Sequence, residues 1–124
     1  MIKSKFIIFG GGKPAYKVVD GYILQNGDYW MGIHRTVVDD KQVWSVTYLY
    51  YGPRYKTFPT RKEAEAAAKS KNVILAIKEV LKNDKSRKSF AEFQKQIKEQ
   101  YVSPEHDGDI ALVKTYQKMY GEEW

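Results

Sequence analysis

Up to Phe58 the apolar positions of this chain come in short runs rich in aromatic and β-branched residues, each closed by turn formers. Beyond Thr60 they recur at helical spacing. The first pattern is that of strands and the second that of helices. Residues 2–9 read as a first strand, closed by Gly10-Gly11-Gly12-Lys13-Pro14. Three glycines before a lysine suggest a phosphate cradle, but a Walker loop requires Gly-Lys-Ser/Thr running directly into a helix. Here Pro14 follows the lysine, so the segment reads as a flexible turn.

Residues 15–24 form the next expected strand, with Gly21 as a candidate bulge. Asn26-Gly27 is a strong hairpin signal, because both residue types tolerate the positive φ of a type I′ turn, and it pairs 15–24 antiparallel with 29–38. Asp39-Asp40-Lys41-Gln42 is a second polar turn into a strand over 43–51, and Gly52-Pro53 leads to a short strand from Tyr55 to Phe58. Side chains alternate between faces along a strand. Trp44, Val46, Tyr48 and Tyr50 therefore oppose Val43, Ser45, Thr47, Leu49 and Tyr51, and Met31, Ile33, Arg35 and Val37 oppose Trp30, Gly32, His34 and Thr36. Which face looks inward stays open, since Trp and Tyr serve on either.

Thr60 stands three residues before Glu63, a capping-box spacing that starts a helix at about Arg61. Val73, Ile74, Ile77, Val80 and Leu81 continue with helical spacing. Residues 61–83 read as one helix or two, with Asn72 a candidate interruption. A polar connector is expected over 83–88. Ser89 with Glu92 repeats the capping-box spacing ahead of a stripe of Phe90, Phe93, Ile97 and Tyr101. After a loop over 103–109, Asp109 is a suitable N-cap for a last helix carrying Leu112, Val113, Tyr116, Met119 and Tyr120. Strands first and helices after predict an α+β fold, an antiparallel β-meander of 4–5 strands followed by three or four helices packed on one face. A length of 124 residues suits one domain.

Composition narrows the class. Hydrophobic residues at 43% and charged residues at 29% are ordinary for a folded domain. The absence of cysteine excludes disulfides, thiolate metal sites and a cysteine nucleophile, and fits a reducing compartment. The run Phe6 to Phe9 is too short for a signal-peptide core, and no run approaches the ~20 apolar residues of a membrane span. A cytoplasmic protein without membrane association is the expectation. The net charge of +6 is unevenly placed. Residues 61–88 carry nine Lys/Arg against four Asp/Glu, a local +5, and residues 103–124 carry two against five, a local −3. A basic middle with an acidic tail points to a polyanion or an acidic partner surface.

Trp30, Trp44, Phe58 and the run Thr60-Arg61-Lys62-Glu63-Ala64 together give an aromatic in each of two paired strands, a short strand ending in Phe, and a Thr-basic-basic-Glu-Ala helix start. Over 29–69 this resembles the arm-type, or AP2-like, DNA-binding domain of phage and transposon tyrosine integrases. In that family the sheet face lies in the DNA major groove, which nominates His34, Arg35, Tyr48, Tyr50, Arg54 and Lys56 as nucleic-acid contacts, with Arg61 and Lys62 beside them. The resemblance implies a DNA-binding protein of phage or mobile-element type, with DNA favoured over RNA. The extra strands before residue 29 depart from the pattern, and no recombinase catalytic domain follows.

Other chemistry has simpler explanations. Asp20, Asp39 and Lys41 contain the residue types of a metal-dependent nuclease, but Asp39 and Lys41 fall in a turn rather than on a core strand. His106-Asp107-Gly108-Asp109 offers metal-ligand types in a loop, and capping accounts for Asp109. No Ser-His-Asp, Cys-His or Gly-x-Ser-x-Gly arrangement is present. The expectation is thus a non-enzymatic protein without cofactor or metal that binds nucleic acid through a basic, aromatic sheet face. The alternative is a protein-binding inhibitor or adaptor acting on a nucleic-acid-handling enzyme, its acidic 103–124 segment imitating phosphate charge. The sequence is silent on oligomeric state.

Overall fold

A computed structural model of the chain describes residues 1–9, 16–49, 51–100 and 110–121. Among these, β1 (Ile2–Phe9), β2 (Tyr16–Asn26), β3 (Tyr29–Val38), β4 (Lys41–Tyr48) and β5 (Arg54–Phe58) make one antiparallel sheet in sequence order. Four helices follow: α1 (Arg61–Ala68), α2 (Lys71–Val80), α3 (Asp84–Gln100) and α4 (Ile110–Tyr120). The α+β meander is the one the patterning predicts. The glycine-rich segment 10–14, Tyr50 and the loop 103–109 lie outside the described residues.

The turns differ in kind from the expectation. Asn26 pairs with Tyr29, so the β2–β3 loop is Gly27-Asp28, with φ of +61° at Gly27 alone, the sign pattern of a type II′ turn. The type I′ pattern falls one hairpin later. Asp39 and Asp40 have φ of 51° and 62° between the paired Val38 and Lys41. Two short Asp side chains tolerate the left-handed region better than most residues. Gly21 makes no bulge, since β1–β2 pairing runs through it as Ser4 opposite Gly21. A Cβ there would stand 2.2 Å from the Ile33 carbonyl oxygen, so glycine is set by the closeness of the next backbone. The register irregularity is at Val46/Thr47, where β5 joins β4.

The helix boundaries follow local capping. Thr60 Oγ1 accepts from Glu63 N at 3.2 Å and starts α1 as expected. The break between α1 and α2 comes at Lys69-Ser70 rather than at Asn72, because Ser70 Oγ accepts from Val73 N at 3.3 Å and opens a second helix. α3 begins at Asp84, ahead of the Ser89 start read from the sequence. Asn83 Oδ1 accepts from Ser86 N at 3.2 Å and serves as the cap, so the polar connector is itself helix.

Both faces of the central strands are buried. Paired residues share a face, so Met31, Ile33, Val46 and Tyr48 lie on one side and His34, Ser45 and Thr47 on the other, and all seven are buried. On the first side α1 and α2 contribute Ala64, Ala68, Val73 and Ile77 to the core with Leu24. The small side chains of Ala64 and Ala68, both fully buried, let α1 lie close to the sheet. α3 and α4 instead send Phe93, Ile97, Leu112 and Tyr116 into a second core with Phe6, Ile8, Ile23 and Leu49. Phe6, Ile8 and Ile23 belong to the sheet face carrying Gly32 and His34, so the sheet is sandwiched rather than covered once. Each fully buried aliphatic side chain is worth about 1.5–3 kcal/mol.

Buried polar groups tie the layers together. The Tyr48 hydroxyl donates to Val73 O at 2.6 Å, and Asn26 Nδ2 donates to Ala68 O and Ser70 O at 2.9 and 3.0 Å. The bond to Ala68 O satisfies a carbonyl at the α1 C-terminus that the helix cannot bond itself, and the bond to Ser70 O ties the same amide to the N-cap of α2. At the sheet edge Ile7 N donates to the Tyr116 hydroxyl at 3.0 Å. No described helix is long and apolar enough to cross a membrane.

Candidate nucleic-acid interface

The seven described residues of the nominated set do not share one open plane. Tyr48 is buried beneath α2 with its hydroxyl committed to Val73, and burial raises its phenol far above the ordinary range. His34 is 3% exposed, on the opposite face. Arg54 lies with His34 on that face, its Nε donating to Ser45 Oγ at 2.8 Å. Arg35 and Lys56 belong by register to the side that α1 covers, where Arg35 stands opposite Trp44 and Lys56 opposite Val46. Lys56 places its ammonium 5.3 Å from the Tyr55 ring centroid. Arg61 and Lys62 are exposed on α1, and Tyr50 lies outside the described residues.

Arg61 makes the best-defined contact of this set. Its guanidinium stands 4.9 Å from the Tyr22 ring centroid, and its Nη1 donates to the Tyr22 hydroxyl at 2.8 Å. A guanidinium stacked on a tyrosine keeps a flat cationic face available to solvent. Tyr22 pairs with Lys3 of β1, so Arg61 connects α1 to the β1 edge of the sheet.

At that edge lies a basic recess that sequence patterning did not single out. A cavity of about 400 Å³ at the β1 edge beside α4 is lined by Lys114 and Lys118 of the helix and by Lys3 and Lys5, which the strand period sets on the other side of β1 from Ser4 and Thr115. Ser4 Oγ and Thr115 Oγ1 are 2.7 Å apart and hold strand and helix in register. Asp20 is the single carboxylate among its described lining residues. The spacing of Lys114 and Lys118 is i, i+4, which puts both on one helix face. The recess was missed because residues 1–5 and 114–118 are far apart in sequence, and α4 lies within the segment read as acidic.

The basic run 61–88 is partly neutralised by its own acids. Lys69 pairs with Glu65 at 2.9 Å, Lys82 with Glu79 at 3.0 Å, and Arg87 with Asp84. The Lys69 ammonium holds the Glu65 carboxyl below the usual carboxylate range. Of the nuclease-like acids, Asp39 sits in the I′ turn and Asp20 stands opposite Lys5 on β1. No group of three or more His, Cys, Asp or Glu suited to a metal ion occurs among the described residues.

Set against known protein families, curated proteins and solved structures, the chain matches none.

Proposed function

We propose that this protein is a non-enzymatic nucleic-acid-binding protein whose phosphate contacts lie at the β1–α4 edge rather than on the sheet face. The observation that carries this reading is the recess of Lys3, Lys5, Lys114 and Lys118 against one carboxylate, adjoining the Arg61–Tyr22 stack through the Lys3–Tyr22 pair. Lysine ammoniums neutralise phosphates as point charges, and each neutralised phosphate releases condensed counterions. Arg61 adds a planar donor for a phosphate oxygen. The buried centre of both faces argues against a groove-reading sheet, so the reading is one of backbone contact, with little base selectivity.

Binding to a short DNA duplex, measured by fluorescence anisotropy across a salt series, tests this. The variant carrying Lys3→Gln, Lys114→Gln and Lys118→Gln should lose about tenfold or more in affinity, with the salt slope falling by about 2–3, since each B-DNA phosphate contributes about 0.9. Arg54→Ala, on the opposite face, should leave the slope within about 0.5 of wild type. An unchanged slope in the triple variant would overturn the proposal. A steep loss in Arg54→Ala alone would return the contact to the sheet.

A further inference from the structure

The other face of the sheet holds a second concavity, of about 520 Å³, between the β3–β5 strands and α3. Its described lining includes Tyr16, His34, Thr47, Arg54, Phe90 and Phe93, and no carboxylate. Rings supply much of the wall. Tyr16 and Phe93 meet edge to face at 5.3 Å between centroids, and Phe90 is 5.3 Å from Tyr51. The volume exceeds that of a single aromatic ring with a small substituent and falls within the range of small-molecule sites.

One polar group is placed here at a cost that the fold alone does not explain, and a fixed arginine stands beside it. His34 is 97% withdrawn from solvent, being 3% exposed, and its Nδ1 has no hydrogen-bond partner. A buried ring nitrogen left without a partner costs about 1–3 kcal/mol, and such atoms in cavity walls are ordinarily met by a ligand or an ordered water. Arg54 is fixed through its Nε bond to Ser45 Oγ, and Ser45 is the cross-strand partner of His34. That bond uses the Nε side of the guanidinium, leaving the two Nη groups to receive an oxyanion. Burial first, then the charges of Arg54 and Lys17, lower the His34 pKa to about 4. Arg54 is the cation in the described lining of the cleft, while His34 is an uncharged partner at neutral pH with one donor and one acceptor nitrogen.

We propose that the cleft binds a small planar organic anion, an aromatic ring bearing a carboxylate or phosphate. The ring lies against Tyr16, Phe90 and Phe93, the acid oxygens meet Arg54, and a polar atom of the ligand bonds His34 Nδ1. Charge complementarity selects an anion, because Arg54 faces no acid among the described lining residues. The aromatic walls select a flat body over a bare ion. The site is separate from the lysine recess, so it stands or falls independently of nucleic-acid binding.

The test is titration of the full chain with benzoate, phenyl phosphate, benzamide and acetate, followed by nitrogen-15 NMR of the histidine side chains and by calorimetry. Benzoate or phenyl phosphate should bind and shift the His34 Nδ1 resonance. Whichever binds more tightly identifies the acid group. Benzamide, of the same shape without charge, and acetate, of the same charge without the ring, should each bind about tenfold or more weakly. Arg54→Gln should weaken benzoate by a similar factor. Ser89→Trp, an exposed helix position at the cleft, should block binding while circular dichroism stays native. Equal binding of benzamide, unperturbed His34 resonances on saturation, or full binding in Ser89→Trp would overturn the assignment, as would a water-filled cleft that none of the four probes enters.

Discussion

The two faces of the sheet are built on different terms. On the α1–α2 side, Met31, Ile33 and Val46 are wholly buried, and the polar groups within the layer, the Tyr48 hydroxyl and the Asn26 amide, all bond helix carbonyls. On the other side the central strands bury His34, Ser45 and Thr47, leave a cleft beside them, and leave one nitrogen unmatched. A completed layer serves stability. An incomplete one, ringed by aromatics and a fixed arginine, is where binding is placed, since polar groups without intramolecular partners favour an incoming molecule.

The largest test of that contrast is Ile33→Ala. It opens a cavity in the completed layer and should cost about 2–5 kcal/mol in urea unfolding, with an unchanged m-value. Next comes the acid response. The unfolded histidine takes a proton near pH 6.5, whereas folded His34 stays neutral down to about pH 4. The unfolded chain therefore binds more protons between those values, and the His34 contribution is fully present above about pH 6.5 and is lost as pH falls towards 4. The loss should be roughly 3 kcal/mol, and His34→Gln should flatten that part of the stability profile. Tyr48→Phe removes one buried hydrogen bond to the Val73 carbonyl, which keeps its place in the α2 ladder, for about 1–1.5 kcal/mol by thermal unfolding. Smallest is Arg54→Gln, at an exposed position bordering the incomplete layer, which loses the Nε bond to Ser45 Oγ and should cost about 0.5–1 kcal/mol. A cost in Arg54→Gln matching that of Tyr48→Phe would erase the distinction between the faces.

The meander was legible because its signals are local. Alternation, Asn-Gly, the double Asp turn and Thr60 with Glu63 each act over a few residues. The errors were also local competitions. Asn83 takes the α3 cap ahead of the Ser89-Glu92 box, and Ser70 rather than Asn72 ends the first helix and opens the second. What the chain could not reveal was which side of each strand would be covered, because Tyr48 and Trp44 suit core and surface alike. His34 and Arg35 are neighbours in sequence and point to opposite faces, so nominating both for one surface already conflicted with the strand period. The lysine recess needed residues at opposite ends of the chain to meet, which no short-range pattern encodes.

The Tyr116 hydroxyl at Ile7 bears on self-association. A strand at the rim of a sheet offers free amides on which a neighbouring copy can lay its own strand and seed a fibril. At β1 the outward Ile7 amide is already matched from α4, and Lys3 and Lys5 add like-charge repulsion between copies. The opposite rim, β5, is five residues long and irregular at its junction with β4. Each margin thus carries its own guard against stacking, one a capped amide and the other brevity.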